Sequence, residues 1–107
     1  MADYHMRSRQ VGRRIAAARQ TAGLSAADLA ARLHWPRDTL VNYETGRRRL
    51  TIESLTDIAQ ALDMPAAVLL LDDPALAALI TRLTREPEVI EDVGFFLDAR
   101  GDELPGV

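Results

Sequence analysis

Glycine and proline punctuate this chain at Gly23, Pro36, Gly46, Pro65, Pro74 and Pro87, and the segments between them consist mostly of helix formers. Alanine occurs 17 times and leucine 15 times, so 32 of 107 residues are the two strongest apolar helix-forming types. An all-α protein of short helices is the expectation. Val11, Ile15, Ala18 and Ala22 fall at helical spacing, and Gly23 stops that first helix. Ser25 followed three residues later by Asp28 forms a capping box for a second helix running to about Leu33, with Ala26, Leu29, Ala30 and Leu33 on one face. Pro36 opens a third helix that closes near Glu44, before Gly46. A fourth spans about Ile52 to Leu62 with Leu55, Ile58, Ala59 and Leu62 inward, and Pro65 opens a short fifth ending at Leu71. Asp73-Pro74 starts a sixth to about Arg85, and Glu86-Pro87 a seventh that ends near Ala99, before Gly101.

The length is that of one compact domain. With no cysteine there is no disulfide scaffold, thiolate catalysis or Cys-ligated zinc. His5 and His34 lie apart from any acidic cluster at ligand spacing, so no metal is expected, and no cofactor. No nucleophile–base pairing and no Gly-rich phosphate loop is present, so the chain is not expected to be an enzyme. The longest apolar run, Ala66 to Leu71, is six residues, too short to span a bilayer. No basic-then-apolar leader opens the sequence, and a soluble cytoplasmic protein is expected.

Net charge is −3, but its distribution is uneven. Residues 1–50 hold ten Arg against four acids (+6), whereas residues 51–107 hold three Arg against twelve acids (−9). A GC-rich genome alone would account for Arg in place of every Lys. The segregation of sign carries more weight: the first half suits a polyanion and the second would repel one.

The second and third helices, joined by a short turn, form a helix-turn-helix. Ala30 must be small where they cross, and Leu29, Leu33, Leu40 and Tyr43 set the angle beneath. Arg37, Asp38, Val41 and Asn42 are left on the outer face of the third helix. Trp35 is expected to pack on the core rather than stack on a base.

On these residues the stretch Val11 to Leu69 resembles the Cro/phage-repressor (XRE) family of DNA-binding domains. The matching string is Arg19, Gly23-Leu24-Ser25, Asp28-Leu29-Ala30, Leu33, Thr39-Leu40, Tyr43-Glu44-Thr45-Gly46-Arg47, Leu55, Ile58-Ala59 and Ala61-Leu62. The resemblance implies a lambda-repressor-like five-helix bundle that places its third helix in the major groove of double-stranded DNA. By position, Arg37, Asp38 and Asn42 match side chains used on base edges, and Val41 is able to touch a thymine methyl. Their chemistry suits guanine, cytosine and adenine respectively, although an acid at Asp38 also stabilises the first turn of its helix whatever it contacts. Arg47, Arg48 and Arg49 match the family's grip on the phosphate backbone; a solvated basic loop is the alternative. Ser25 caps the second helix, whose N-terminus can face a phosphate. Arg19 and Glu44 match an internal salt bridge. Ala26 stands where the family usually has Gln, His34 where a turn glycine is common, and Leu50 where proline is frequent.

The expected organisation is a flexible N-terminal tail at 1–10, the helix-turn-helix domain at 11–72 and a helical extension at 73–107. In the extension, Leu76, Leu79, Ile80 and Leu83 form one apolar stripe, and Val89, Ile90, Val93, Phe96 and Leu97 a second. Dimerisation is the favoured use of these stripes, since readers of this kind gain from two half-sites. Packing back on the bundle and docking of another protein are the alternatives. The resulting expectation is a homodimeric transcriptional regulator, a repressor, with an antitoxin-like module that binds DNA and a partner protein as the second reading.

Overall fold

The computed structural model describes residues 2–100, with side chains from Met6 onward. The described chain is helical, without strands: α1 Ala2–Thr21, α2 Ala26–Leu33, α3 Arg37–Glu44, α4 Ile52–Ala61, α5 Ala66–Leu70, α6 Pro74–Arg85 and α7 Pro87–Ala99. It divides into two compact units between Leu71 and Asp72. Met1, the side chain of His5, and Gly101 with its expected stop for α7 lie outside the described residues.

The first unit is the five-helix bundle α1–α5. Its core draws on every helix: Val11 and Ile15 from α1, Leu29 and Ala30 from α2, Leu40 and Tyr43 from α3, Leu55, Ile58 and Ala59 from α4, and Leu69 from α5. Leu62, at the end of α4, completes it, and Trp35, Leu33 and Leu50 pack against its edge half-buried. Helix ends follow a shared device. At α1, α2 and α4 the chain turns through one left-handed residue, Gly23 (φ 76°), His34 (φ 58°) and Asp63 (φ 55°). The next residue's N–H then reaches back to a carbonyl of the last turn: Leu24 to Arg19, Trp35 to Ala30, Met64 to Ala59. His34 does by strain what a glycine does freely.

One boundary differs from the sequence expectation. Residues 2–10, expected as part of a flexible tail, are helical: α1 is continuous from Ala2, about nine residues before the first core side chain. No glycine or proline interrupts residues 2–11, so a helix nucleated by the packed Val11–Thr21 stretch propagates towards the N-terminus at little cost. Tertiary contacts hold this extra length. Ser8 is buried, and the Arg7 guanidinium donates to the Leu70 carbonyl (2.8 Å) and to Gln10 (3.0 Å).

α1 approaches the end of α3 closely. A Cβ added at Gly12 would stand 2.5 Å from the carbonyl oxygens of both Tyr43 and Glu44. Gly12 is the one position of α1 at which the axis of α3 can come so near. One turn earlier Arg9 covers Gly46, whose φ of 77° and lack of a side chain let the chain leave α3 beneath it.

The second unit is the hairpin α6–α7, hinged at Glu86. Asp73 caps α6 by accepting the N–H groups of Ala75 (2.9 Å) and Leu76 (3.3 Å), with Pro74 in the first turn. Arg82 and Glu86 pair one turn apart at 2.6 Å. No residue of either helix is buried. Among the described residues no helix is long and apolar enough to cross a membrane.

Gly12→Ala is expected to lower the stability of the first unit by about 3 kcal/mol, because the added methyl meets backbone, which cannot rotate away. His34→Gly is expected to raise it by about 0.5–1 kcal/mol, the left-handed strain relieved less the added chain entropy of glycine. Denaturant titration followed by the fluorescence of Trp35 reads both.

Candidate nucleic-acid interface

Three segments of the first unit carry the residues in question: the start of α2, the outer edge of α3 and the loop after it. At the start of α2 the capping box is complete. The Ser25 hydroxyl accepts the Asp28 N–H (3.0 Å), and the Asp28 carboxylate accepts the Ser25 N–H (3.0 Å). The hydroxyl of the exposed Ser25 keeps its proton available to an outside acceptor, and the helix dipole adds positive potential there. The bond from the Ser25 backbone holds the Asp28 carboxyl below its ordinary value of 3.8; the Ser25 side chain acts in the same sense, desolvation opposes them, and Arg32 adds to the lowering.

α3 has two faces. Leu40, Tyr43 and Glu44 are buried; Arg37 and Asp38 are open to solvent, with side chains 62% and 92% exposed. The Arg37 guanidinium lies 3.7 Å from the Asp38 carboxylate, a loose surface pair that a partner can displace at little cost. Val41 and Asn42 are half-buried, so they sit at the margin of the exposed face rather than on its crest. Thr45 closes the helix, its hydroxyl donating to the Val41 carbonyl (2.9 Å).

The loop after Gly46 exposes Arg47, Arg48 and Arg49. Arg48 is tied to α3 twice. Its N–H donates to the Asn42 carbonyl (3.0 Å), and its guanidinium lies 5.2 Å from the centre of the Tyr43 ring. Trp35 also neighbours that ring, at 5.4 Å and tilted by 42°.

Beneath α3, Arg19 and Glu44 form a two-pronged pair: Nε to Oε2 at 2.7 Å and Nη2 to Oε1 at 3.2 Å, with side chains only 13% and 8% exposed. The remaining prong, Nη1, donates to the Leu24 carbonyl (2.9 Å). One guanidinium thus joins the end of α1, the turn into α2 and the end of α3.

The basic first half does not consist only of ligand-binding charge. At least four of its ten arginines hold main-chain carbonyls at helix ends or turns: Arg7 on Leu70, Arg14 on Leu69, Arg19 on Leu24 and Arg32 on Ala61. Sequence reasoning missed these roles, and it missed Gly12. The signals were there to read. Arg7 and Arg14 are seven residues apart, on one face of α1, and a glycine inside a helix needs a packing reason because it costs about 1 kcal/mol relative to alanine. The stack of Arg48 on Tyr43 left no mark in the sequence, because the loop that returns Arg48 over the ring has no helical period.

Replacing Arg19 with Met is expected to cost about 3 kcal/mol, since Glu44 would remain buried without its partner. The Asp28 bond gives a pH signature. The folded carboxyl titrates below the unfolded one, so its contribution is complete above 3.8 and falls away as pH drops through the lowered value. Asp28→Ala is expected to remove that part of the acid-induced loss, as read by denaturant midpoints stepped from about pH 5 to about pH 2.

Comparison with known proteins agrees with this geometry. The family model described as "Helix-turn-helix domain" matches residues 10–71, more than half of the chain and all of α2–α5. No curated protein and no solved structure matches significantly. The match is consistent with the Cro/phage-repressor likeness of Val11 to Leu69. The chain belongs to the helix-turn-helix domain family.

Proposed function

We propose that the protein is a sequence-specific repressor of transcription that binds a two-fold-symmetric operator as a homodimer, with α3 of each copy in the major groove. The observation that carries this reading is the division of α3. Its inner face is locked by the core and by Arg19–Glu44, while its first turn offers Arg37 and Asp38 to solvent, with three exposed arginines immediately beyond. In this reading Arg37 pairs with guanine, Asp38 accepts from cytosine, Asn42 pairs with adenine and Val41 contacts a thymine methyl. Ser25, Arg47, Arg48 and Arg49 take the phosphates, which position the unit without reading sequence. Ala26 offers no side-chain amide at the start of α2, so the loop arginines carry more of the backbone grip. Repression needs only occupancy of the operator, and the protein acts in the cytoplasm, where that DNA is.

The second unit supplies the dimer. Leu76, Leu79, Ile90, Val93 and Phe96 are all more than two-fifths exposed, with Ile80, Leu83, Val89 and Leu97 half-buried beside them. Two helices with this much apolar surface in water call for a partner, and a second copy brings two α3 helices to half-sites about one DNA turn apart. The acidic surround, Glu88, Glu91, Asp92 and Asp98 with the outlying and largely exposed Phe95, gives the second reading its footing: an antitoxin-like module whose hairpin covers a basic partner protein.

Selection from a random DNA pool is expected to return a palindromic motif. Arg37→Ala is expected to relax preference at one base pair per half-site, by about 1–3 kcal/mol, without uniform weakening elsewhere. Arg47→Ala is expected to leave sequence preference intact and to reduce the slope of log affinity against log salt by about one. Ile90→Asp is expected to give a monomer by sedimentation that has lost most of its affinity for the full palindrome. Release of a bound basic protein by the same substitution would favour the second reading.

A further inference from the structure

Within the proposed reading, one buried residue has a part in DNA binding that its burial conceals. Tyr43 is 6% exposed and belongs to the core, yet one face of its ring is covered by the guanidinium of Arg48, an exposed residue of the loop. A cation over an aromatic face at 5.2 Å is held by the ring's quadrupole. The backbone is fixed as well, through the Arg48 N–H on the Asn42 carbonyl. Trp35, from the turn between α2 and α3, also lies against Tyr43, with ring centres 5.4 Å apart and planes tilted by 42°. Through Tyr43, contacts therefore run from the turn that enters α3 to the loop that leaves it.

We propose that Tyr43 is a positioning residue for the phosphate-binding loop: its ring presets Arg48 in the place from which it meets the DNA backbone. A long arginine side chain ordinarily loses rotamer freedom on binding, and a guanidinium already parked beside the end of α3 loses less. The stack also ties the loop to the recognition helix, so that phosphate contact fixes the depth and angle at which α3 enters the groove. Arg47 and Arg49 are not assigned this role.

The test is a double-mutant cycle on affinity for the selected operator. Tyr43→Leu keeps an apolar side chain in the core but removes the ring face, and Tyr43→Phe keeps the ring. Tyr43→Leu is expected to weaken binding roughly two- to fivefold and to lower the salt slope, whereas Tyr43→Phe restores both. In an Arg48→Ala background the Tyr43→Leu effect is expected to vanish. An undiminished effect in that background would show that Tyr43 acts through folding alone and would overturn the proposal. NMR of the wild-type protein gives a check independent of the variants. The Arg48 side-chain protons should be shifted upfield by the Tyr43 ring, and ordinary shifts would overturn the proposal even if Tyr43→Leu failed to fold. A wild-type protein that binds no DNA would instead remove the functional reading, and this inference with it.

Discussion

The close crossing of α1 over the C-terminal end of α3 is the constraint on which the rest of the first unit depends. It is made possible by an absence, the missing side chain at Gly12, and it is fixed by a charge pair, Arg19 with Glu44. Neither suffices alone. The glycine lets the helices approach but does not set their register; the pair sets the register but would be costly to bury without hydrogen bonds for its remaining prong, which the Leu24 carbonyl supplies. With both in place the inner face of α3 is fully used, and its outer face is the part left to interact with anything else.

That arrangement explains how so short a helix can serve in the recognition role proposed for it. Eight residues are too few for a helix to persist by itself in water. α3 persists because Leu40 and Tyr43 anchor it in the core, Glu44 is clamped from below, and Thr45 and Gly46 terminate it cleanly. Rigidity of this kind suits groove reading, where side chains must meet base edges within a few tenths of an ångström. The arginines follow the same economy. Arg7, Arg14, Arg19 and Arg32 secure main-chain carbonyls at helix ends or turns, and those after Gly46 remain at the surface, so one residue type serves both the scaffold and the candidate interface.

Much of the fold was legible in the sequence, for identifiable reasons. Gly23 and Gly46 mark where helices stop, and Pro36, Pro65, Pro74 and Pro87 where helices open. The Ser25–Asp28 box and the Asp73-Pro74 cap dictate where they start, and the apolar spacing in α1, α2 and α4 names the buried side chains. Legibility failed where the deciding interaction is long-range. The helical start of α1 rests on Arg7 reaching a carbonyl 63 residues away, which no local pattern announces. The close approach that Gly12 permits is visible only once α3 is beside it. At the candidate interface, the residues of α3 were readable as one helical face, yet the half-burial of Val41 and Asn42 and the parking of Arg48 on Tyr43 depend on how the loop folds back. In the second unit the stripes were plain, but periodicity says only that a face is apolar, not what covers it.

In the proposed function the outer face of α3, with the segments on either side of it, is the surface that meets DNA. Backbone amide NMR during titration with a selected operator duplex tests this most directly, because it reports every segment at once. The account predicts that the large shifts cluster at residues 25–28 and 36–49, with α4, α5 and the buried side of α1 little affected. Shifts centred on any other surface of the first unit, or none at saturating duplex, would contradict it.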